Sequence, residues 1–151
     1  MKIIKGDIIK LALDGQFDVI VHGCNCFHTM GAGVAKQIKT MFPAAYKADL
    51  MTKYGDKSKL GTYSIASVDN LNLKILNAYT QYDFSGSGIK VHYSAIKSVF
   101  SAIKSQYIGK RIGYPKIGAG LAGGNWGIIS EIIDKELEGE DHALVVYLGG
   151  V

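Results

Sequence analysis

Two short apolar runs, which lack the alternation of a half-exposed strand, constrain the fold most strongly. FDVIVHG (residues 17–23) and ALVVYL (residues 143–148) each contain consecutive apolar residues, with no polar residue at every second position. Strands of this kind are typical of sheets that are covered on both faces. The sequence therefore predicts a central sheet between two layers of helices.

Helix-like and strand-like segments alternate along the rest of the chain. KIIKGDII is predicted as a strand that ends in a turn, and RIGYPKI as a strand ended by Pro115. GTYSIASV and LKILNAYTQ predict a hairpin with its turn at Asp69 and Asn70. Helices are predicted in GVAKQIKTMF, in PAAYKADLMTKY and over residues 91–107. A last helix is predicted through Leu137, with Asn125 as its N-cap. The alternation favours a mixed α/β sheet.

Length and composition predict one globular domain over residues 1–151. Apolar residues make up 48% of the chain and charged residues 20%, which is enough for a hydrophobic core. No secretory leader and no run of ~18 apolar residues is present, so a cytoplasmic protein without a membrane partner is expected. The net charge is +4, but Arg111 is the only arginine. Nucleic-acid binding is therefore not expected, because no basic patch interleaved with aromatic residues stands out.

Two histidines and two cysteines alternate at His22, Cys24, Cys26 and His28. On a strand, side chains on one face are about 6.6 Å apart, so the two histidines would lie about 20 Å apart. The ligands of one tetrahedral ion must lie within about 4 Å of one another. The spacing therefore predicts no metal site.

A nucleophilic cysteine is not favoured either. A cysteine-based phosphatase carries an arginine six positions after its cysteine, and Met30 and Ala32 occupy the corresponding positions after Cys24 and Cys26. Two cysteines so close together also cannot staple a fold, so reduced thiols are expected.

Two glycine-rich stretches follow predicted strands and precede predicted helices. We call HTMGAGVA (residues 28–35) the first glycine loop and KIGAGLAGGNW (residues 116–126) the second glycine loop. Glycine lets backbone N–H groups approach an anion closely, and a helix start adds further N–H donors. GAGLAG formally matches a dinucleotide-binding fingerprint, but only one strand remains after it. Two facing loops of N–H donors instead predict a clamp for a diphosphate.

These motifs together resemble the macrodomain family, whose members bind ADP-ribose. KGDI resembles the family's adenine-contacting turn, with Asp7 as acceptor, and VIVHGCN resembles the strand that presents Asn25 to the distal ribose. MGAGVA and IGAGLAGGNW resemble the two phosphate loops, and LVVYLGG resembles the last strand, with Tyr147 beside the adenine. The resemblance implies a three-layer α/β/α sandwich with a mixed central sheet. It also implies these ligand-binding residues: Gly6, Asp7, Ile8, Gly23, Cys24, Asn25, Met30, Gly31, Ala32, Gly33, Val34, Ala35, Gly118, Ala119, Gly120, Leu121, Ala122, Gly123 and Tyr147.

Within the family, the stand-alone phosphatases that act on ADP-ribose 1″-phosphate are most similar. They carry a histidine three residues before the asparagine, as VHGCNC does here, and their helix pair resembles GVAKQI…FPAAYKADL…YG. The resemblance implies hydrolysis to ADP-ribose and phosphate. No paired carboxylates or metal-ligand cluster stand near the loops, so a reaction without a metal or cofactor is expected. His22, Asn25 and Asp83 are the predicted catalytic residues. A histidine pKa near 6.5 would suit a base, an acid or a nucleophile.

Two alternatives remain open at this stage. One is a module that binds ADP-ribose without turnover, and the other is a hydrolase that removes ADP-ribose from modified protein or nucleic acid. The branch that acts on modified glutamate uses a lysine and an aspartate, and the matching positions here are Gln81 and Ala122. Neither residue can perform those roles, so that mechanism is not favoured.

Overall fold

A six-stranded sheet forms the centre of the protein in the computed structural model, which describes residues 1–84 and 88–147. The strands are β1 (Lys2–Lys5), β2 (Val19–Cys24), β3 (Tyr63–Val68), β4 (Leu73–Tyr79), β5 (Ile112–Tyr114) and β6 (His142–Val146). Their spatial order is β1-β6-β5-β2-β4-β3. Only the β3–β4 pair is antiparallel among these strands, so the predicted mixed sheet and its hairpin are confirmed.

Helices cover both faces of the sheet. Helices α1 (Ile8–Leu13), α2 (Gly33–Met41) and α3 (Pro43–Leu50) pack on one face, and α4 (Tyr93–Gln106) and α5 (Trp126–Glu136) pack on the other. Two short 3₁₀ helices lie at Lys57–Lys59 and Asp69–Leu71. Each face has its own apolar core, which confirms the three-layer sandwich. Within the described residues, no helix is long and apolar enough to cross a membrane.

The pairing of β2 with its two neighbours positions the site. β2 pairs with β4 as far as Cys24, but with β5 only at Val19 and Ile20. After β2 the chain continues towards the β4 side of the sheet, and after β5 it continues towards β6. In open α/β sheets, ligands bind where the strand order reverses in this way, at the carboxyl ends of the strands.

The first helix was not predicted from the sequence. Residues 8–13 form α1, whereas the apolar pattern of KIIKGDII predicts only a strand and a turn. Asp7 explains the difference, because its side chain accepts hydrogen bonds from the N–H groups of Ile9 and Lys10 and starts the helix. The predicted cap of α5 is confirmed, since the Asn125 side chain accepts from the N–H of Ile128. Leu148, the last residue of the predicted terminal strand, lies outside the described residues.

The packing of the second glycine loop gives a stability prediction. A Cβ at Gly124 would lie 2.5 Å from a methyl carbon of Val91 and 2.6 Å from the backbone oxygen of Gly118. We expect Gly124→Ala to lower the free energy of unfolding by roughly 1–3 kcal/mol, because the backbone must shift to relieve these contacts. Urea denaturation measures the change.

Gly120→Ala is the matched control in the same loop. A Cβ there meets nothing within 4 Å, and Gly120 does not have a positive φ. Its free energy of unfolding should stay within about 0.5 kcal/mol of the wild-type value. Equal effects of the two substitutions would contradict the packing described for Gly124.

Candidate functional site

A cavity of about 670 Å³ opens at the carboxyl ends of β2 and β5. Both glycine loops contribute to its wall, as the sequence predicts for facing loops. The wall also includes the end of β2, where the pairing with β5 has stopped. The lining residues are His22, Gly23, Cys24, Asn25, Thr29, Met30, Gly31, Ala32, Gly33, Val34, Ala35, Asp49, Gln81, Phe84, Lys90, Pro115, Lys116, Ile117, Gly118, Gly120, Leu121 and Ala122.

The N-terminus of α2 faces this cavity without a side-chain cap. The N-cap residue is Ala32, which has no side-chain acceptor, whereas Asp7 and Asn125 cap α1 and α5 through their side chains. The first turn of α2 contains no acidic residue. The first N–H groups of a helix have no partner within the helix and attract anions. The wall formed by Gly33 and Val34 is therefore suited to hold a phosphate group.

The second glycine loop supplies the opposite wall. Gly118 has a φ of +76° and a hydrogen bond from the N–H of Gly124 closes the turn, so the chain curls back beside the cavity. Lys90 and Lys116 also line the cavity. These two lysines and the uncapped helix start outweigh the single acidic residue of the lining, Asp49, so the site favours an anionic ligand.

The segment between β2 and α2 is held in a strained shape. His28 and Met30 have φ values of +58° and +38°, in the left-handed region that side chains rarely adopt. His28 is fixed by contacts to Thr52, at 2.8 Å from Nε2 to the backbone oxygen, and its own oxygen accepts from the hydroxyl of Tyr46. These contacts hold the first glycine loop in this shape.

Asn25 has a structural role in the same segment. Its Oδ1 accepts a hydrogen bond from the N–H of Phe27, and its Nδ2 donates to the Thr29 hydroxyl at 2.6 Å. The side chain thus has a fixed orientation at the cavity wall. One N–H of the amide remains after these contacts, which is consistent with the predicted contact to a ribose hydroxyl.

His22 lies at the cavity wall but is almost fully buried, with 1% of its surface exposed. Its Nε2 is 2.6 Å from Oδ1 of Asn77 on the neighbouring strand. Burial lowers the pKa of His22 to about 4, although the hydrogen bond with Asn77 opposes the shift. The pKa therefore lies below the ordinary histidine value of 6.5, and the imidazole is neutral near pH 7. A neutral imidazole can act as a base or nucleophile, and it can act as a general acid once it has taken up a proton.

The four alternating histidines and cysteines do not converge on one point in the structure. The Cys24 thiol lies 3.7 Å from both ring nitrogens of His22, while Cys26 contacts the backbone oxygen of Gln81 and His28 contacts Thr52. Burial raises the pKa of both thiols, so neither is an activated nucleophile. Over residues 1–84 and 88–147, no three His, Cys, Asp or Glu side chains are grouped as they would be around a metal ion.

The structure brings most of the predicted site residues together. The predicted residues of β2 and of the first glycine loop line the cavity, as do Gly118, Gly120, Leu121 and Ala122. Other predicted residues lie outside the lining. Asp83 lines a separate depression of about 340 Å³. The other predicted residues that do not line the cavity are Gly6, Asp7, Ile8, Ala119, Gly123 and Tyr147.

Asp49 on α3 lines the cavity and was not singled out in the sequence. It is 1% exposed, and its Oδ1 accepts from the Tyr79 hydroxyl at 2.7 Å. Its Oδ2 is buried without a partner in the described part of the chain. A single acidic residue on a helix gives no sequence signal for burial. The other lining residues that the sequence analysis missed are Thr29, Phe84, Lys90, Pro115, Lys116 and Ile117.

The buried, neutral state of His22 predicts a pH effect on stability. Between about pH 4 and pH 6.5 the unfolded chain binds a proton at His22 and the folded protein does not. The free energy of unfolding should therefore fall as the pH is lowered through this window. His22 should contribute a loss of about 3 kcal/mol over the whole window.

Urea denaturation of the wild type and of His22→Gln at several pH values isolates this contribution. Burial also lowers the pKa of His142, but that effect is present in both proteins and cancels in the difference. The variant should show the weaker dependence on pH. Parallel curves would mean that His22 titrates normally in the folded protein.

Comparisons with known proteins agree with this fold. A family model described as Macro domain matches residues 21–133. An "Uncharacterized 17.5 kDa protein in tk-vs intergenic region" of Enterobacteria phage T4 is 42% identical over 141 residues, or 89% of this chain and 88% of that protein.

Two solved structures are similar in fold at low sequence identity. The macrodomain of Thermus aquaticus DarG has a TM-score of 0.73 and 19% identity, with 95% of each chain covered. A Trypanosoma brucei macrodomain in complex with ADP-ribose has a TM-score of 0.67 and 16% identity, with 96% of this chain and 62% of that chain covered. Since the family model spans most of the sequence, the chain belongs to the Macro domain family.

Proposed function

We propose that the protein binds ADP-ribose 1″-phosphate in the cavity between the two glycine loops and hydrolyses it to ADP-ribose and phosphate. The observation that carries the proposal is that an uncapped helix start and a neutral histidine line the same cavity. Complexes of ADP-ribose with the Trypanosoma brucei macrodomain and with Thermosipho africanus DarTG support the choice of ligand. The DarTG structure has a TM-score of 0.67 and 18% identity, with 87% of this chain and 38% of that chain covered.

The diphosphate of this ligand would lie between the two loops. The first turn of α2 offers N–H groups on one side, and the second glycine loop approaches from the other. Lys90 and Lys116 add two positive charges. A site made of backbone donors and lysines can bind a diphosphate without arginine forks, which suits a chain with a single arginine.

His22 is the residue that we assign to the hydrolytic step. As a neutral base it would take a proton from water while the water oxygen attacks the phosphorus atom of the 1″-phosphate. The bond from phosphorus to the oxygen on C1″ breaks, and the proton passes from His22 to that oxygen. Asn25 would hold the distal ribose, and Asp83 receives no step because it lines the other depression.

A binding module without turnover is the second candidate function. The burial of His22 favours it, since a pKa of about 4 makes the imidazole a weak base at neutral pH. The glutamate-specific hydrolase mechanism is less favoured. Gln81 and Ala122, at the positions that match its lysine and aspartate, both line the cavity and carry no ionisable group.

Phosphate release from ADP-ribose 1″-phosphate tests the catalytic proposal. We expect the wild type to release phosphate in the presence of EDTA, because the proposed step uses only protein groups and water. His22→Gln should slow release by roughly 10²-fold or more, the usual size of a general-base effect. Calorimetry should show that the variant still binds ADP-ribose.

The outcomes separate the two functions. Tight ADP-ribose binding with no phosphate release by the wild type would support the binding module and overturn the phosphatase. Full activity of His22→Gln would remove His22 from the mechanism.

Gly31 provides a test of the binding loop. It lines the cavity, is exposed, and does not have a positive φ, so a side chain there is not strained as it would be at Gly33, where φ is +58°. Gly31→Glu should weaken ADP-ribose binding by tenfold or more. A carboxylate about 4 Å from a phosphate is repelled by about 4 kcal/mol at an effective dielectric constant of 20.

Gly31→Gln is the matched control, because it has the same shape without the charge. Calorimetric titration of both variants with ADP-ribose measures the difference. If glutamate and glutamine weaken binding equally, the loop does not hold the phosphates.

A further inference from the structure

A row of polar side chains crosses three strands behind the cavity. His22 on β2 is paired in register with Asn77 on β4, and Asn77 is paired with Ser64 on β3. His22 and Asn77 are almost fully buried, at 1% and 0% exposure. We call His22, Asn77 and Ser64 the polar row. Helix α3 contacts it through the backbone oxygen of Ala45, which accepts from Asn77, and Asp49 on the same helix accepts from the Tyr79 hydroxyl beside it.

The orientation of the Asn77 amide is determined by its surroundings. Nδ2 is 2.9 Å from the backbone oxygen of Ala45, which can only accept a hydrogen bond, and 2.9 Å from Oγ of Ser64. Reversing the amide would place two acceptor oxygens against each other. The Oδ1 atom of Asn77 must therefore face His22, and it can only accept.

The hydrogen bonds beyond Asn77 run through Ser64 and Tyr79 to Asp49, and their directions follow from the Asp49 end. The Tyr79 hydroxyl donates its one hydrogen to Oδ1 of Asp49, so it can only accept from Ser64 at 2.9 Å. Ser64 thus uses its hydrogen on Tyr79 and presents its lone pairs to Asn77. Each hydrogen bond in this series therefore has a defined direction, and the last acceptor is the Asp49 carboxylate.

We infer that Asn77 is a positioning residue that holds His22 in the tautomer with its proton on Nε2, so that Nδ1 keeps the free lone pair. The geometry leaves no other choice for a neutral imidazole, because Nε2 lies 2.6 Å from an atom that only accepts. The Cys24 thiol is equally distant from both nitrogens and does not select between them. The role in catalysis rests on the proposed function, in which Nδ1 is then the atom that accepts the proton from water.

NMR of the uniformly ¹⁵N-labelled protein without any ligand tests the tautomer. Long-range ¹H–¹⁵N correlation near pH 7.5 distinguishes a protonated ring nitrogen from one with a lone pair, and His22→Gln identifies the signals of His22. We expect Nε2 to be protonated and Nδ1 to be free. A proton on Nδ1, or on both nitrogens, would overturn the inference from the wild-type spectrum alone.

Asn77→Leu tests the residue itself, with Asn70→Leu as the matched control. Asn70 is exposed in the turn between β3 and β4, so its replacement should leave the His22 shifts unchanged. Asn77→Leu should bring the two nitrogen shifts closer together, because the tautomer is no longer selected. Unchanged shifts in a folded Asn77→Leu variant would contradict the assignment.

Asn77→Asp is the second variant if the leucine variant does not fold. A carboxylate beside Nε2 should raise the pH at which the His22 shifts titrate by about 1–3 units, as an opposite charge at short range does. An unchanged titration would mean that residue 77 does not contact the ring.

The positioning role of Asn77 in catalysis is tested by measuring kcat for phosphate release. If the wild type releases phosphate, Asn77→Leu should lower kcat by about twofold or more while ADP-ribose binding is retained, because His22 is then divided between its two tautomers and its ring is no longer held in place. An unchanged kcat would overturn the positioning role. Failure of the phosphatase assay alone would leave the tautomer assignment intact, because the spectra need no substrate.

Discussion

The early separation of β2 from β5 is the constraint on which the site depends. β5 ends at Tyr114, and Pro115 follows it without an N–H to continue the ladder. β2 runs on to Cys24 against β4 alone, so one edge of its last residues faces a space rather than a strand. The two glycine loops close around that space. A cavity results between β2 and β5, where the chain continues towards opposite sides of the sheet after the two strands.

The same strand carries a buried polar residue, His22, into a largely apolar sheet. Burying His22, Asn77 and Asp49 is unfavourable unless each is hydrogen-bonded, and unpaired groups of this kind cost about 1–3 kcal/mol each. The register of three strands offsets most of this cost by aligning donors with acceptors. One carboxylate oxygen of Asp49 remains without a partner in the described chain and lies in a residue that lines the cavity. Buried polar groups of the sheet and of the cavity wall thus lie close together.

The sequence predicted the layers of the fold because apolar periodicity reports burial directly. It did not predict α1, since Ile8 and Ile9 continue an apolar pattern that a strand would share. It also predicted much of the cavity wall, because glycine-rich turns between strands and helices are typical of loops that approach an anionic ligand. The contribution of Asn77 was not visible, as an asparagine within a strand has no distinctive pattern and only cross-strand register places it beside His22. The lowered pKa of His22 was not predicted for a related reason, since it depends on burial.

The left-handed residues of the first glycine loop have a kinetic consequence. His28 and Met30 hold unfavourable backbone angles, and contacts of His28 with Thr52 and Tyr46 keep the segment in place. Folding therefore supplies the free energy that shapes this wall of the cavity. A wall that is held by the protein's own contacts does not need a ligand to order it. The association rate of a ligand should be governed by diffusion and by the positive potential of the cavity, and differences in affinity among related ligands should arise mainly from how fast each one leaves.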